Sequence, residues 1–169
     1  MPLILVALAA GLLAGLLLGG SVRSLVRARL RSVGLLLGGA GCELAARWVG
    51  GAAGAGILVA GYVLMICFAL RNAGLTGMVL VAIGLLANLT VIVVDRGMPV
   101  RGLPAGVSAG WRHHGERPGD HLTGLADVVR LAPLRETVSA GDIVLSLGAG
   151  TAVVALMRPR RRPAPSGAR

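Results

Sequence analysis

Five long apolar runs alternate with polar stretches along the chain, covering residues 3–20, 33–50, 52–70, 74–94 and 140–157. Each is about as long as a helix must be to cross a hydrocarbon core of about 30 Å. The first, LILVALAAGLLAGLLLGG, carries no charge, and its arginines follow it. A cleaved signal peptide has its basic residues in front, so an uncleaved span is expected. The second run is the weakest, because it contains Glu43 and Arg47. Each charge costs about 2.5–3.5 kcal/mol at a helix centre on insertion scales. Two features reduce that cost. Glu43 and Arg47 stand i,i+4 in the favourable order, and Arg47 and Trp48 lie near one end, where snorkelling and interfacial anchoring operate.

The polar stretches have distinct textures. SVRSLVRARLRSV sets Leu25, Val26, Leu30 and Val33 among arginines and predicts a short helix at the interface. Arg71-Asn72 predicts a tight turn. The fourth run has Asn88 as its only strongly polar group. Residues 95–139 hold four prolines and charges of both signs, and form the one segment with room for structure outside the runs. Within it, DHLTGLADVV predicts a short amphipathic helix capped by Asp120. Ser139-Ala140-Gly141-Asp142 fits a capping box at the start of the fifth run. Residues 158–169 are basic and proline-rich and are expected to be disordered. The expected fold is all-α: a polytopic transmembrane helix bundle of about five spans, residues 1–157, with one extramembrane loop and a basic tail.

Composition supports lipid as the solvent. The chain is 55% hydrophobic and 14% charged, where a soluble domain of this length carries about a quarter charged residues. A net charge of +10 raises the question of nucleic acid, and the placement of the arginines answers it. With five spans, the loop of Arg23, Arg27, Arg29 and Arg31, the Arg71 turn and the tail with Arg158, Arg160, Arg161 and Arg162 share one side with no acid among them. On the other side, six arginines meet six acids when Asp95 and Asp142 are included. The positive-inside rule makes the acid-free side cytoplasmic, with the N-terminus and the 95–139 loop outside a bacterial inner membrane. Without the second span, the two arginine clusters would fall on opposite sides. Anionic lipid headgroups are therefore the expected partner, at about 1 kcal/mol per nearby arginine, and nucleic acid is not.

Small residues recur every four positions at Ala7, Gly11, Gly15 and Gly19, and again at Gly34, Gly38, Cys42, Ala46 and Gly50. Such stripes let helix backbones approach closely, within the chain or in a homo-oligomer. Cys42 and Cys67 differ in depth along the expected spans and read as inert buried thiols without a disulfide.

The candidate chemistry is sparse. All three histidines lie in HHGERPGDH, residues 113–121. A structural zinc site wants four spaced ligands. His113 and His114 are adjacent, and no HExxH or paired CxxC accompanies them, so a solvated polar loop is expected, with no metal and no cofactor. No nucleophile setting such as GxSxG occurs. Glu43 is an intramembrane acid, by default a functional candidate; an internal ion pair with Arg47 is the plainer reading. Asn88 reads as polar glue between helices.

GLLAGLLLGGSVRSLVRARLR, the Tyr62-to-Asn72 stretch, LLANLTVIVVDRGMPV, LADVVRLAP and SAGDIVLSLG occur in an order that resembles the domain of unknown function 5317 family, small bacterial multi-spanning membrane proteins. The resemblance runs from about residue 3 to 156. Its most specific parts are Met98-Pro99-Val100 and Ser139-x-Gly141-Asp142, and Asn88, His121 and Asp127 also match. The family pattern has Asn-Gly where this chain has Asp95-Arg96, and the segment between His121 and Asp127 is shortened here. The resemblance implies the architecture and no activity. The expected role is a non-enzymatic membrane component whose outer loop recognises another envelope protein or a second copy. One alternative is a small transporter or channel subunit using Glu43, Asn88 or Asp142. The other is an extracytoplasmic metal-dependent enzyme built on the histidines.

Overall fold

In a computed structural model, which describes residues 2–102, 113–127, 129–131 and 136–158, every apolar run is helical. Helix α1 covers Pro2–Leu17, α2 Val22–Val26, α3 Val33–Val49, α4 Gly51–Arg71, α5 Met78–Val94 and α6 Ala140–Met157. Residues 159–169, including Arg160, Arg161 and Arg162, lie outside the described residues.

Local chemistry explains where the helices stop. Helix α1 ends short of residue 20 because Gly19 turns left-handed (φ 77°) and Gly20 N–H reaches back to Gly15 O at 2.8 Å. That is a Schellman closure. Gly50 and Gly51, with φ of 63° and 56°, reverse the chain between α3 and α4 within two residues. Side chains rarely tolerate such values, whereas glycine adopts them freely. The turn expected at Arg71-Asn72 is longer than that. Asn72 caps α4, two successive turns follow, and α5 starts at Met78 rather than residue 74. Ser139 accepts from Asp142 N–H, and Asp142 reaches back to the Ser139 amide, forming the capping box that opens α6.

The long helices lie in a row: α3 packs on α4, α4 on α5, α5 on α6, and α6 on α1. Neighbours are antiparallel except α6 and α1, which run together. Bare backbone makes these seams close. A Cβ on Gly39 would sit 2.8 Å from Gly61 O, one on Gly84 2.6 Å from Gly141 O, and one on Gly11 2.5 Å from Gly150 O. The α1 stripe therefore faces α6 through Gly11 and Gly15, while Gly19 meets nothing within 4 Å. On α3 the contact face coincides with the expected stripe only in part. Gly39, Cys42 and Ala46 meet α4, whereas Gly34 faces open space.

The alternation of directions gives the row two unlike ends. At one end Phe68, Met78 and Ala152 are buried, with Leu30 and Leu35 packed against them, and Ser21 N–H bonds Met157 O at 3.0 Å. Arg23, Arg27, Arg29, Arg31, Arg71 and Arg158 all belong to this end. At the other end Met98 and Ala126, from the segment between α5 and α6, join Ala46, Leu58, Tyr62, Leu85, Val91 and Ile92 in the main core.

That segment contains more structure than a solvated loop. Strand β1 (Met98–Val100) pairs in parallel with β2 (His113–Gly115), and β3 (Val129–Leu131) pairs antiparallel with β4 (Glu136–Val138). The amphipathic helix expected from Asp120 onward does not form. Residues 123–125 form a turn and residue 126 a bend. The Asp120 carboxylate takes the Arg117 amide at 2.7 Å instead of capping forward, so the cap that would nucleate a helix is spent on a backward turn.

The outer faces of the row are apolar. Leu5, Leu13, Leu37, Leu44, Ile83 and Leu147 are all exposed. Two helices, α4 and α6, are long and apolar enough to cross a membrane, and only 33% and 28% of their apolar windows are buried inside the chain. The core helix of a soluble protein is mostly buried. Both cysteines are free; Cys42 is half-buried and Cys67 exposed, so the expectation that both thiols are buried fails for Cys67, which sits on the outer face of α4.

The glycine seams predict a contrast. Gly39→Ala forces its Cβ to within 2.5 Å of Met65 Cγ and should destabilise the chain by about 1–3 kcal/mol. Gly41→Ala, with nothing within 4 Å, should leave it unchanged or raise stability by about 0.5–1 kcal/mol through helix propensity. Thermal unfolding followed by circular dichroism compares the two.

Candidate functional site

Two polar layers stand out at the end where the β-strands lie. The inner layer joins α5 to α6. Asn88, 3% exposed on α5, donates from Nδ2 to Asp142 Oδ1 at 2.7 Å and accepts at Oδ1 from Ser139 Oγ at 2.9 Å. Ser139 Oγ also accepts from the Asp142 amide at 2.9 Å. One asparagine thus closes a ring with the two side chains of the capping box. Gly141 makes this possible, because a Cβ there would overlap Asn88 Oδ1. The local motif explains the rest. Asp142 sits in the first turn of α6, where a carboxylate is favoured by the helix dipole, and its second oxygen faces the Ser139 amide.

The outer layer is held by Asp95. Its carboxylate, on a residue only 5% exposed, takes the His121 amide at 2.8 Å on Oδ1 and the Leu122 amide at 3.1 Å on Oδ2. Both oxygens are used. An asparagine has a single acceptor oxygen. Arg96 follows in a left-handed conformation, φ 52°. A glycine would sit there without strain, whereas a side chain costs about 1 kcal/mol.

Strand β1 lies beside this carboxylate. Asp127 forms a parallel bridge to Val100, donating its amide to Pro99 O at 3.1 Å and accepting from the Arg101 amide at 3.0 Å. That pattern calls on the proline carbonyl and not on its missing N–H, so Pro99 fits a strand that it would otherwise interrupt. His113 Nε2 lies 3.6 Å from Asp127 Oδ2. His114 is buried, with Nδ1 3.0 Å from Gly115 O and 3.8 Å from Asp120 Oδ2, and Nε2 3.4 Å from Asp95 O. Arg101 pairs with Glu116 at 3.3 Å on the surface.

The structure therefore sorts the sequence candidates into groups. Asn88, Ser139, Gly141 and Asp142 meet in one network. Met98, Pro99, Val100 and Asp127 meet around β1, with Met98 turned into the core. His121 belongs to the outer layer through its backbone amide. Glu43 lies on α3, outside both groups, with Arg47 3.6 Å away. The histidine stretch is not merely solvated, because β2 pairing buries His114. Among the described residues, no three histidine, cysteine or carboxylate side chains gather as a metal would require. Nor does any buried side-chain nitrogen or oxygen there lack a hydrogen-bond partner.

Two residues that organise the molecule were not singled out in the sequence. In the sequence Asp95 is only the first acid after the fourth apolar run, one charge in the balance of the 95–139 segment. Asn72 is buried at the opposite end. It donates to Arg31 O at 2.9 Å and Phe68 O at 2.8 Å, and accepts from the Arg31 amide at 2.8 Å. An asparagine just past a helix end has an ordinary capping role, so nothing in the sequence distinguished it.

Both layers make predictions. Asn88→Ala strands the Ser139 hydroxyl and one Asp142 oxygen and should cost about 1–3 kcal/mol; in a double-mutant cycle with Ser139→Ala the losses should be strongly non-additive. Asp95→Asn removes one of two amide acceptors. Hydrogen exchange should then speed up at the His121 and Leu122 amides and remain unchanged at Asn72 and Arg31.

No curated protein and no solved structure matches the chain. A family model does, described as a family of unknown function (DUF5317), over residues 33–154. The match takes in α3 to most of α6, both polar layers and the Met98-Pro99-Val100 strand, and leaves α1 and the Arg23–Arg31 stretch outside. On that coverage, the chain belongs to the DUF5317 family of unknown function.

Proposed function

We propose that the chain is a five-span protein of the bacterial inner membrane, with its N-terminus outside and its C-terminus in the cytoplasm, and that it acts as a non-enzymatic component whose outer polar layer recognises another envelope protein. The observation that carries this reading is the outward face of the helix row. Leu17 is 80% exposed, Leu37 67% and Trp48 86%, and large apolar side chains are exposed on all five long helices. Contiguous apolar surface on that scale is not left in water, and hydrocarbon is the solvent that accepts it. Helices α1 and α5 have 16 and 17 residues, or about 24–26 Å. They fit a bilayer that thins slightly or lets flanking residues snorkel.

Orientation follows from charge. The described arginines without acids cluster at one end of the row, and the balanced charges cluster at the other. The positive-inside rule then sends the α2 end to the cytoplasm. Glu43 is tolerable in α3 because Arg47 neutralises it one turn nearer the outer surface.

The non-enzymatic reading rests on how the polar groups are spent. A transporter would want Glu43, Asn88 and Asp142 along one path. Instead Asn88 and Asp142 bond each other between α5 and α6, while Glu43 pairs on α3 at the edge of the row. A metallohydrolase would want its histidines together. Here His113 faces Asp127, His114 faces Asp120, and His121 contributes its amide. These are the bonds of a rigid platform, which suits recognition.

Sidedness is directly testable. In a background with Cys42→Ser and Cys67→Ser, an impermeant maleimide added to intact cells should label Gly119→Cys and leave Arg27→Cys unlabelled until the cells are opened. Labelling of Arg27→Cys alone would invert the topology, and extraction of the chain by alkaline carbonate would end the membrane reading.

A further inference from the structure

At the arginine-rich end, the α2–α3 connection and the C-terminus of α4 enclose an open groove of about 600 Å³, lined by Arg31, Ser32, Leu70 and Arg71. We propose that this groove binds a phosphate group, presented by the headgroup of an anionic phospholipid; the inference rests on the membrane reading above.

Three features make the groove more than a stretch of surface charge. First, it is built. Asn72 grips the Arg31 backbone from both sides, through Nδ2 to Arg31 O and from the Arg31 amide to Oδ1, and the same amide group also holds Phe68 O. The position of Arg31 is thus tied to the end of α4, forty residues on, and the two arginines are held across one groove. Second, its charge is unopposed. Arg71 Nη1 donates to Ser32 Oγ at 3.2 Å, and among the described residues no carboxylate pairs with either guanidinium. Two planar donor forks over one opening suit the several oxygens of a phosphate, which arginine binds with two parallel N–H bonds. Third, exposed apolar side chains adjoin it: Leu70 in its lining, and Val33 next along the chain from Ser32. Leu70 is 58% exposed and Val33 41% exposed, and on α3 Leu37, one turn beyond Val33, is exposed too. A ligand with a charged head and a hydrocarbon chain matches that sequence of surfaces.

The other arginines of this end differ. Arg23 and Arg27 lie on or beside the short helix α2, exposed and outside the groove. They should attract an anionic surface diffusely, within a Debye length and without a defined stoichiometry. The groove should instead hold one headgroup per chain and respond to the geometry of its donors.

The test uses the full chain in detergent micelles, titrated with phosphatidylglycerol or phosphatidylcholine and read by native mass spectrometry. Wild type should retain one phosphatidylglycerol at least tenfold more tightly than phosphatidylcholine. Arg31→Gln with Arg71→Gln should remove that preference by tenfold or more, Arg71→Lys should weaken it several-fold despite the conserved charge, and Arg23→Gln with Arg27→Gln should change it by less than twofold. If the α2 pair lowers the preference as much as the groove pair, or if wild type has none, the groove site is wrong. Glycerol phosphate and inorganic phosphate, added as competitors, separate the sources. Failure of both to displace the lipid at millimolar concentration assigns the site to the lipid. Displacement by either keeps a phosphate site and overturns the lipid assignment. Circular dichroism melts of each variant confirm that it is folded. Carbonate extraction of the same variants separates the two claims, since a chain that stays in the membrane without any headgroup preference refutes the groove alone.

Discussion

The contact between α5 and α6 organises the rest of the molecule. Gly84 and Gly141 bring the two backbones together, and the space they leave admits Asn88 to the capping box of Ser139 and Asp142. Neither part works without the other. A side chain at 141 would expel the asparagine amide, and an apolar residue at 88 would take one hydrogen-bond partner from each of the Ser139 hydroxyl and the Asp142 carboxylate. In an apolar surrounding, unmade hydrogen bonds are expensive and made ones are strong, so this ring sets the height and rotation of α6 against α5. Helix α6 in turn carries α1 on its other flank through Gly150 and Met157, and α5 carries α4 and hence α3. The row is assembled outward from that seam.

The same seam positions the outer layer. Once α5 and α6 are fixed, residues 95–139 must bridge two neighbouring helix ends, and the chain folds back over them. Met98 and Ala126 sink into the core above Val91 and Ile92, which places β1 and Asp127 side by side. Asp95 then ties the far part of the segment to the last turn of α5. The histidines that look like a ligand set in one dimension are divided by this folding, because adjacent residues on a strand point to opposite sides. At the other end Asn72 plays a corresponding part with neutral atoms, joining the arginine-bearing connection to α4. Among the described residues, the buried side chains of Asn72, Asn88 and Asp95 each connect one element to another.

Much of the architecture was legible because its physics is local. Uninterrupted apolar stretches, the placement of arginine against acid, and the Ser139-x-x-Asp142 spacing each act over a turn or two of chain, and each can be read without knowing what packs where. Helix ends depended on slightly more. The Gly19 closure and the late start of α5 both fall inside the expected runs, and both follow from turns that hydropathy does not register. The short strands were not legible, since three-residue segments containing a proline and two histidines have no alternation long enough to register.

What the sequence by itself determined was the helical character of the five apolar runs, the charge difference between the two ends of the row, and the cap of α6, because these follow from hydropathy, composition and nearest-neighbour hydrogen bonds. Only the tertiary structure decided that the α3 contact face takes in Gly39 and leaves Gly34 out, that Asn88 bonds Asp142, and that Asp95 and Asn72 hold connections twenty-six and forty-one residues away. Those pairings depend on rotations and depths of whole helices. A rotation of a fraction of a turn exchanges one glycine for its neighbour at the seam, and no local rule specifies it.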